Sequence, residues 1–140
     1  MTQKFQQSKG YQLVQKWMTE KGMLAFSFQN EAWQRFSNGY SGMVVAPTGF
    51  GKTYSIFLAV IIDFFNHPQN YKSGLKLIWV TPLRSLAKDL ARAMQEVIDE
   101  IGLDWVVEVR NGDTDAKQKM RQTKNMPDIL KNGVKADSSL

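Results

Sequence analysis

The chain has no cysteine and only one histidine, His67. That removes disulfides and thiolate-bound metal, and leaves any imidazole metal site without a second ring. Absence of cysteine fits a reducing compartment such as the cytoplasm. Long apolar runs are missing as well. The longest, from Tyr54 to Phe65, contains Asp63 and falls well short of the ~20 residues a membrane helix needs. Met1 to Gly10 is polar and lacks an apolar h-region, so no signal peptide and no membrane partner are expected. No low-complexity segment occurs. What remains is an ordinary globular composition, 43% hydrophobic and 22% charged over 140 residues. One domain of this size buries roughly two thirds of its unfolded surface. A formal charge of +5 favours an anionic partner, either a nucleotide or a nucleic acid.

Periodicity places the elements. Residues 1–9 are polar and expected to fray. Val14, Trp17 and Met18 fall at i, i+3 and i+4, which predicts a helix over about 12–21, stopped at Gly22. Phe26-Ser27-Phe28-Gln29 leads into a second short helix with Ala32, Trp33 and Phe36 on one face, ending at Gly39. Core packing accounts for Trp17, Trp33 and Phe36. Gln29 has two readings: a solvated residue at a helix start, or an amide whose donors and acceptor read the edges of an adenine.

The short apolar run Met43-Val44-Val45 then enters Ala46-Pro47-Thr48-Gly49-Phe50-Gly51-Lys52-Thr53, and a long apolar helix follows from Tyr54. Strand, glycine-bearing turn and helix is the setting of a phosphate-binding loop. Gly49 and Gly51 let backbone N–H groups converge on phosphate oxygens. Lys52 would reach the β- and γ-phosphates, and the Thr53 hydroxyl would sit on Mg²⁺. The helix N-terminus adds to the anion site. Ala46 stands where the strict pattern has its first glycine.

Downstream, residues 67–74 form a turn-rich surface connection, and His67 has no partner cluster. Leu75 to Thr81 is a strand whose run Leu77-Ile78-Trp79-Val80 is expected to be covered on both faces. Thr81 to Ala87 turns into a helix with Leu86, Leu90, Met94, Val97, Ile98 and Ile101 on one face and Gly102 as its stop. Asp104 to Arg110 is a third strand, ending in the turn Asn111-Gly112-Asp113-Thr114. Residues 115–125 carry Lys117, Lys119, Arg121 and Lys124, a solvated basic helix or a phosphate contact. Pro127 to Leu130 opens a fourth strand, and residues 131–140 read as disordered. Strands alternating with helices predict an α/β fold with a parallel sheet. Ligands of such sheets bind beyond the carboxyl ends of the strands. That places the loop at 46–53 and the turns at 81–85 and 111–114 on one expected rim. Thr81, Arg84 and Thr114 there could hold a sugar–phosphate strand, or could simply cap helices.

Taken together, these residues resemble the first motor domain of a superfamily 2 helicase, a P-loop NTPase of RecA-like fold with helices flanking a parallel sheet. Residues 46–53 resemble its motif I, where alanine in the first position is usual. Phe28-Gln29 resembles the Q motif, implying adenine recognition by Gln29. Thr81-Pro82-Leu83-Arg84-Ser85-Leu86-Ala87 is similar to motif Ia. Residues 26–33, Val109-Arg110-Asn111-Gly112-Asp113-Thr114 and Met126-Pro127-Asp128-Ile129-Leu130 resemble the large-helicase-related group, in particular its ligase-associated DEXH-box branch. The resemblance implies ATP and Mg²⁺ held by Gln29, Pro47, Thr48, Gly49, Phe50, Gly51, Lys52, Thr53 and Tyr54. Lys52 and Thr53 would be the catalytic pair, with Thr53 on the metal. It further implies single-stranded DNA on Thr81, Pro82, Leu83, Arg84, Gly112, Asp113 and Thr114, a role in DNA repair, and ligase and nuclease partners.

The family pattern would continue past Leu130 to a DExH box, and residues 131–140 do not fit it. The expected division is a helical lead-in at 1–25, an incomplete motor domain at 26–130, truncated before the DExH strand, and an unrelated tail from a frameshift or early stop. Catalysis of phosphoryl transfer is mostly positioning and charge stabilisation. No meaningful ATP turnover by these residues alone is therefore expected. The alternative is a non-catalytic remnant that binds nucleotide or nucleic acid. Unpaired edges at Met43-Val44-Val45 would leave the isolated chain marginally stable.

Overall fold

Thr2 and Ser8 start the first two helices, each hydroxyl accepting the N–H three residues on, from Phe5 and Tyr11. The structure, a computed structural model, describes residues 1–47, 49, 51–71, 74–82, 84–112 and 114–133, without the side chains of 84, 85 and 131–133. The chain divides into two units, Met1–Tyr71 and Lys72–Leu140.

In the first unit, α1 (Gln3–Gln6) and α2 (Lys9–Glu20) replace the expected frayed start. The reason is Phe5, which is buried with its ring 5.3 Å from that of Tyr11. As the spacing predicts, α2 buries Val14, Trp17 and Met18. Its end is set by Gly22, at φ +69. Next come α3 (Ser27–Ser37) and α4 (Gly51–Asn66), which packs against both α2 and α3. Phe57, Leu58, Ile61 and Ile62 of α4 and Trp33 of α3 have no solvent-exposed surface. Phe36, expected in the core, is 40% exposed. The α2–α4 contact is closest at Gly10, whose N–H donates to Asn66 Oδ1 at 2.8 Å. A Cβ there would lie 2.2 Å from the Ile62 carbonyl oxygen. Near the end of α4, the Asp63 carboxylate accepts from the Tyr71 hydroxyl at 2.6 Å and meets His67 Nδ1 at 3.0 Å.

Met43-Val44-Val45 is not a strand. Among the described residues no ladder partner reaches it, and Met43 and Val45 are largely exposed. A lone extended segment has no backbone partners to make it a strand.

The second unit holds a three-stranded parallel sheet of β1 (Leu77–Thr81), β2 (Val107–Asn111) and β3 (Ile129–Gly133), in the order β1-β3-β2. Ile129 is paired with both Leu77 and Val107. The two crossovers carry α5 (Arg84–Ile101) and α6 (Ala116–Lys124). β3 runs on through Lys131–Gly133, past the point where the tail was expected to begin, and 134–140 lie outside the described residues. Asp128 ties the strand entrances together. Its carbonyl accepts from the N–H groups of Lys76 and Leu77, and its carboxylate takes the Val106 N–H and pairs with Lys76 Nζ. That ammonium also sits 5.6 Å from the Trp105 ring centroid.

Two expectations are corrected. β1 is covered on one face only: Ile78 and Val80 stay more than half exposed. The buried face of α5 is Ala87, Ala91, Met94, Val97 and Ile98, with Leu86 turned out. Alanines at 87 and 91 let the helix approach the sheet closely, which the larger leucines would prevent.

Gly10→Ala tests the α2–α4 approach. Helix propensity alone favours alanine by about 1 kcal/mol, but overpacking against backbone costs about 1–3 kcal/mol. The urea midpoint is expected to fall; a rise would remove the close approach. Tyr71 makes a second test. Burial, and then the Asp63 carboxylate, raise its pKa above the ordinary 10. The folded state thus holds the phenolic proton more tightly than the unfolded one. The stability this contributes is fully present below pH ~10 and lost as pH rises beyond it, by at most about 1.4 kcal/mol per pH unit. Urea melts from pH 9 to 11 should show Tyr71→Phe less alkali-sensitive than the wild type.

Candidate functional site

Phe26 is the N-cap of α3 and has no side-chain oxygen to cap with. Gln29, at the third helical position, makes up part of the deficit. Its Oε1 accepts the Phe26 N–H at 2.9 Å, which is half of a capping box. Its Nε2 donates to the Gly51 carbonyl, also at 2.9 Å. The side chain is only 2% exposed, so the solvated reading of Gln29 is excluded. Its amide keeps one N–H and one acceptor position uncommitted by these two bonds.

Gly51 is the first residue of α4, and the loop before it contains a positive-φ glycine. Gly49 lies at φ +134, a backbone that side-chain-bearing residues rarely adopt. A Cβ on Gly51 would meet Phe28 Cζ at 3.3 Å and Gln29 Nε2 at 3.7 Å, so the absence of a side chain keeps the turn seated on the start of α3. Lys52 and Thr53 follow in the first turn of α4, both half-buried, and the Lys52 carbonyl is braced by the Ser55 hydroxyl at 2.6 Å. Tyr54 is half-buried against Trp17, and its carbonyl accepts the Trp33 indole N–H at 3.3 Å. Pro47 is exposed; Thr48 and Phe50 lie outside the described residues. A positive-φ glycine, one ammonium and one hydroxyl at the head of a long helix are groups that suit a polyphosphate. Among the described residues there is no cluster of three acidic or histidine side chains for a metal.

A separate groove of about 670 Å³ runs beside α3 and α4, lined by Phe28, Arg35, Phe36, Tyr40, Met43 and Ile56 among others. Neither Lys52 nor Thr53 lines it, so this groove is separate from the start of α4.

In the second unit, Thr81 ends β1 and is buried, and Pro82 is exposed. Leu83, Asp113 and the side chain of Arg84 lie outside the described residues. Gly112 is exposed after β2, and the Thr114 hydroxyl accepts the Asn111 N–H at 2.9 Å, closing the turn before α6. Thr81 and Gly112 therefore stand at the carboxyl ends of two parallel strands of one sheet. Sequence reasoning missed Phe28 under Gly51, stacked on Phe26 with centroids 5.7 Å apart, although the F-x-F spacing beside Gln29 was the available signal.

An α/β unit with parallel strands, and a long helix entered through a positive-φ glycine, are parts of a P-loop fold. The chain belongs to the DEAD/DEAH box helicase family, whose pattern matches residues 26–132. It is 32% identical over 128 residues to the Lhr helicase/probable uracil glycosylase of Mycolicibacterium smegmatis, covering 84% of this chain and 8% of that one. It is 34% identical to the ATP-dependent helicase Lhr-Core of Methanocaldococcus jannaschii, covering 84% and 15%. Among solved structures, it matches Mycobacterium smegmatis Lhr bound to single-stranded DNA and AMP-PNP with a TM-score of 0.67 at 31% identity, over 86% of this chain and 16% of that one. The DUF1998 helicase MrfA bound to DNA and AMPPNP matches with a TM-score of 0.70 at 25% identity, over the same shares. The chain thus spans 8–15% of these curated relatives' length, and its fold is that of their RecA-like domains.

Removing the Gln29 amide leaves the Phe26 N–H and Gly51 C=O without these partners. Gln29→Ala is expected to lower stability by about 1–3 kcal/mol, read from tryptophan fluorescence in urea. Gln29→Glu keeps the acceptor for Phe26 but loses the donor to Gly51, and should fall between the two. Equal midpoints for all three proteins would contradict the bridge.

Proposed function

We propose that this chain is the ATP-binding part of the first motor domain of an ATP-dependent DNA translocase acting in DNA repair. The observation that carries the reading is the Gln29 Nε2 to Gly51 O hydrogen bond, which joins a base-reading amide to the phosphate loop. The remaining N–H and acceptor position of Gln29 match N7 and N6 of an adenine. The loop from Pro47 through Thr48, Gly49, Phe50 and Gly51 wraps the triphosphate, Lys52 neutralises it, and Tyr54 supports the helix behind it. Thr53 contributes a hydroxyl ligand to Mg²⁺, which when bound neutralises charge on the phosphates. Single-stranded DNA lies along Thr81, Pro82, Leu83, Arg84, Gly112, Asp113 and Thr114. The bound nucleotide analogue and DNA of the Lhr and MrfA structures support both assignments. A ligase and a nuclease are the fitting partners, and the cytoplasm the fitting compartment.

The 140 residues by themselves bind without turning over. Their only acidic pair resembling a box, Asp99-Glu100, lies within α5, where it caps no strand. A second reading, a binding module with no hydrolytic role at all, shares this geometry.

The test is titration with a fluorescent ATP analogue. Binding should saturate and be weakened at least tenfold by Lys52→Ala, since one ammonium–phosphate contact of about 1.4 kcal/mol already gives that factor. Binding indifferent to Lys52→Ala would overturn the site. DNA-stimulated hydrolysis by these residues, abolished by the same substitution, would instead overturn the no-turnover statement.

A further inference from the structure

The helix α6, Ala116–Lys124, contains four cations and no carboxylate. At 100° per residue, Lys117, Met120, Arg121 and Lys124 fall within an arc of about 100°, and all four are exposed. Gln122, almost opposite, is buried and donates to the Val109 carbonyl at 3.2 Å. That bond fixes the rotation of the helix and turns the cationic stripe outward. Lys117 and Arg121 are an i,i+4 pair and Arg121 and Lys124 an i,i+3 pair, spacings at which like charges destabilise a helix. Among the described residues, Arg121 alone of these cations is relieved by an ion pair, with Glu108 Oε1 at 3.0 Å. Asp115, the carboxylate adjoining the helix, is used to cap its N-terminus by accepting from Gln118 N–H. A helix built only for solvation gains from mixed signs; this one carries a repulsion that a polyanion would relieve.

We propose that the Lys117–Lys124 stripe of α6 is an additional backbone-phosphate track for single-stranded DNA, continuing the strand from the Gly112–Thr114 turn that leads directly into the helix. This rests on the proposed function, because it extends the same bound strand. Arg121 is partly neutralised by Glu108, so Lys117 and Lys124 supply the net charge. The contact is to phosphate and carries no sequence preference.

The experiment measures binding of the full chain to a fluorescent oligo-dT and to a mixed-sequence oligonucleotide across a salt series. Each lysine removed from a single-strand contact should lower the slope of log K against log salt by about 0.7, so Lys117→Ala/Lys124→Ala should lower it by about 1.4, equally for both sequences. Lys117→Arg/Lys124→Arg should retain the wild-type slope. Lys4→Ala/Lys16→Ala, which removes the same charge from exposed positions on α1 and α2, should leave it nearly unchanged. An unchanged slope in the α6 double variant, or an equal drop in the control, overturns the track while the DNA reading stands. A wild-type chain that binds neither oligonucleotide overturns both.

Discussion

The side-chain amide of Gln29 is the contact on which the first unit's chemistry rests. A glutamine in an otherwise apolar contact between two helices must have its bonds met, and here they are met by backbone groups that need them. One is the uncapped start of α3, the other the first carbonyl of α4. The first turn of α4 is consequently held by a side chain that also secures the start of α3. Rigid support behind a loop is what allows N–H groups to be aimed before the ligand arrives. Trp33 repeats the design one turn further on, with its indole N–H on the Tyr54 carbonyl.

Much of this was legible from residue order. The glycines at 49 and 51 and the apolar run of α4 mark a turn into a buried helix, and the structure has that helix from Gly51. The strand at 77–81 and the helix α5 were legible from their apolar patterns, within a few residues at each end. What was not legible has identifiable causes. The start of the chain looked polar because a single residue, Phe5, provides its anchoring. The face of α5 was misjudged because the contact is made by alanines, which a hydrophobic period underweights, while the larger Leu86 points away. Met43-Val44-Val45 has strand-forming residues, but strand structure is a property of pairs, and pairing cannot be read from one segment. Gln29 could be read as a ligand residue but not as a strut, because its partner is a backbone carbonyl over twenty positions away in sequence.

The second unit is governed by a different economy. Its sheet entrance is secured by Asp128, which gathers Lys76, Leu77 and Val106, and its exit presents the turns assigned to the nucleic acid. The same division recurs in α6, where Gln122 faces the sheet and the cations face away. Burial fixes the orientation of each element; charge then decides what the outward side can meet.

The sheet order β1-β3-β2 puts the last of the three described strands in the middle. Among the described residues, neither flanking strand bonds to the other, and each pairs with Ile129–Gly133. During folding, α5 and α6 can therefore form as local helices while this ladder stays unformed until β3 joins it. Assembly of this half is an insertion event rather than a zippering one, and its kinetics answer to the longest closure in the unit, between β1 and β3.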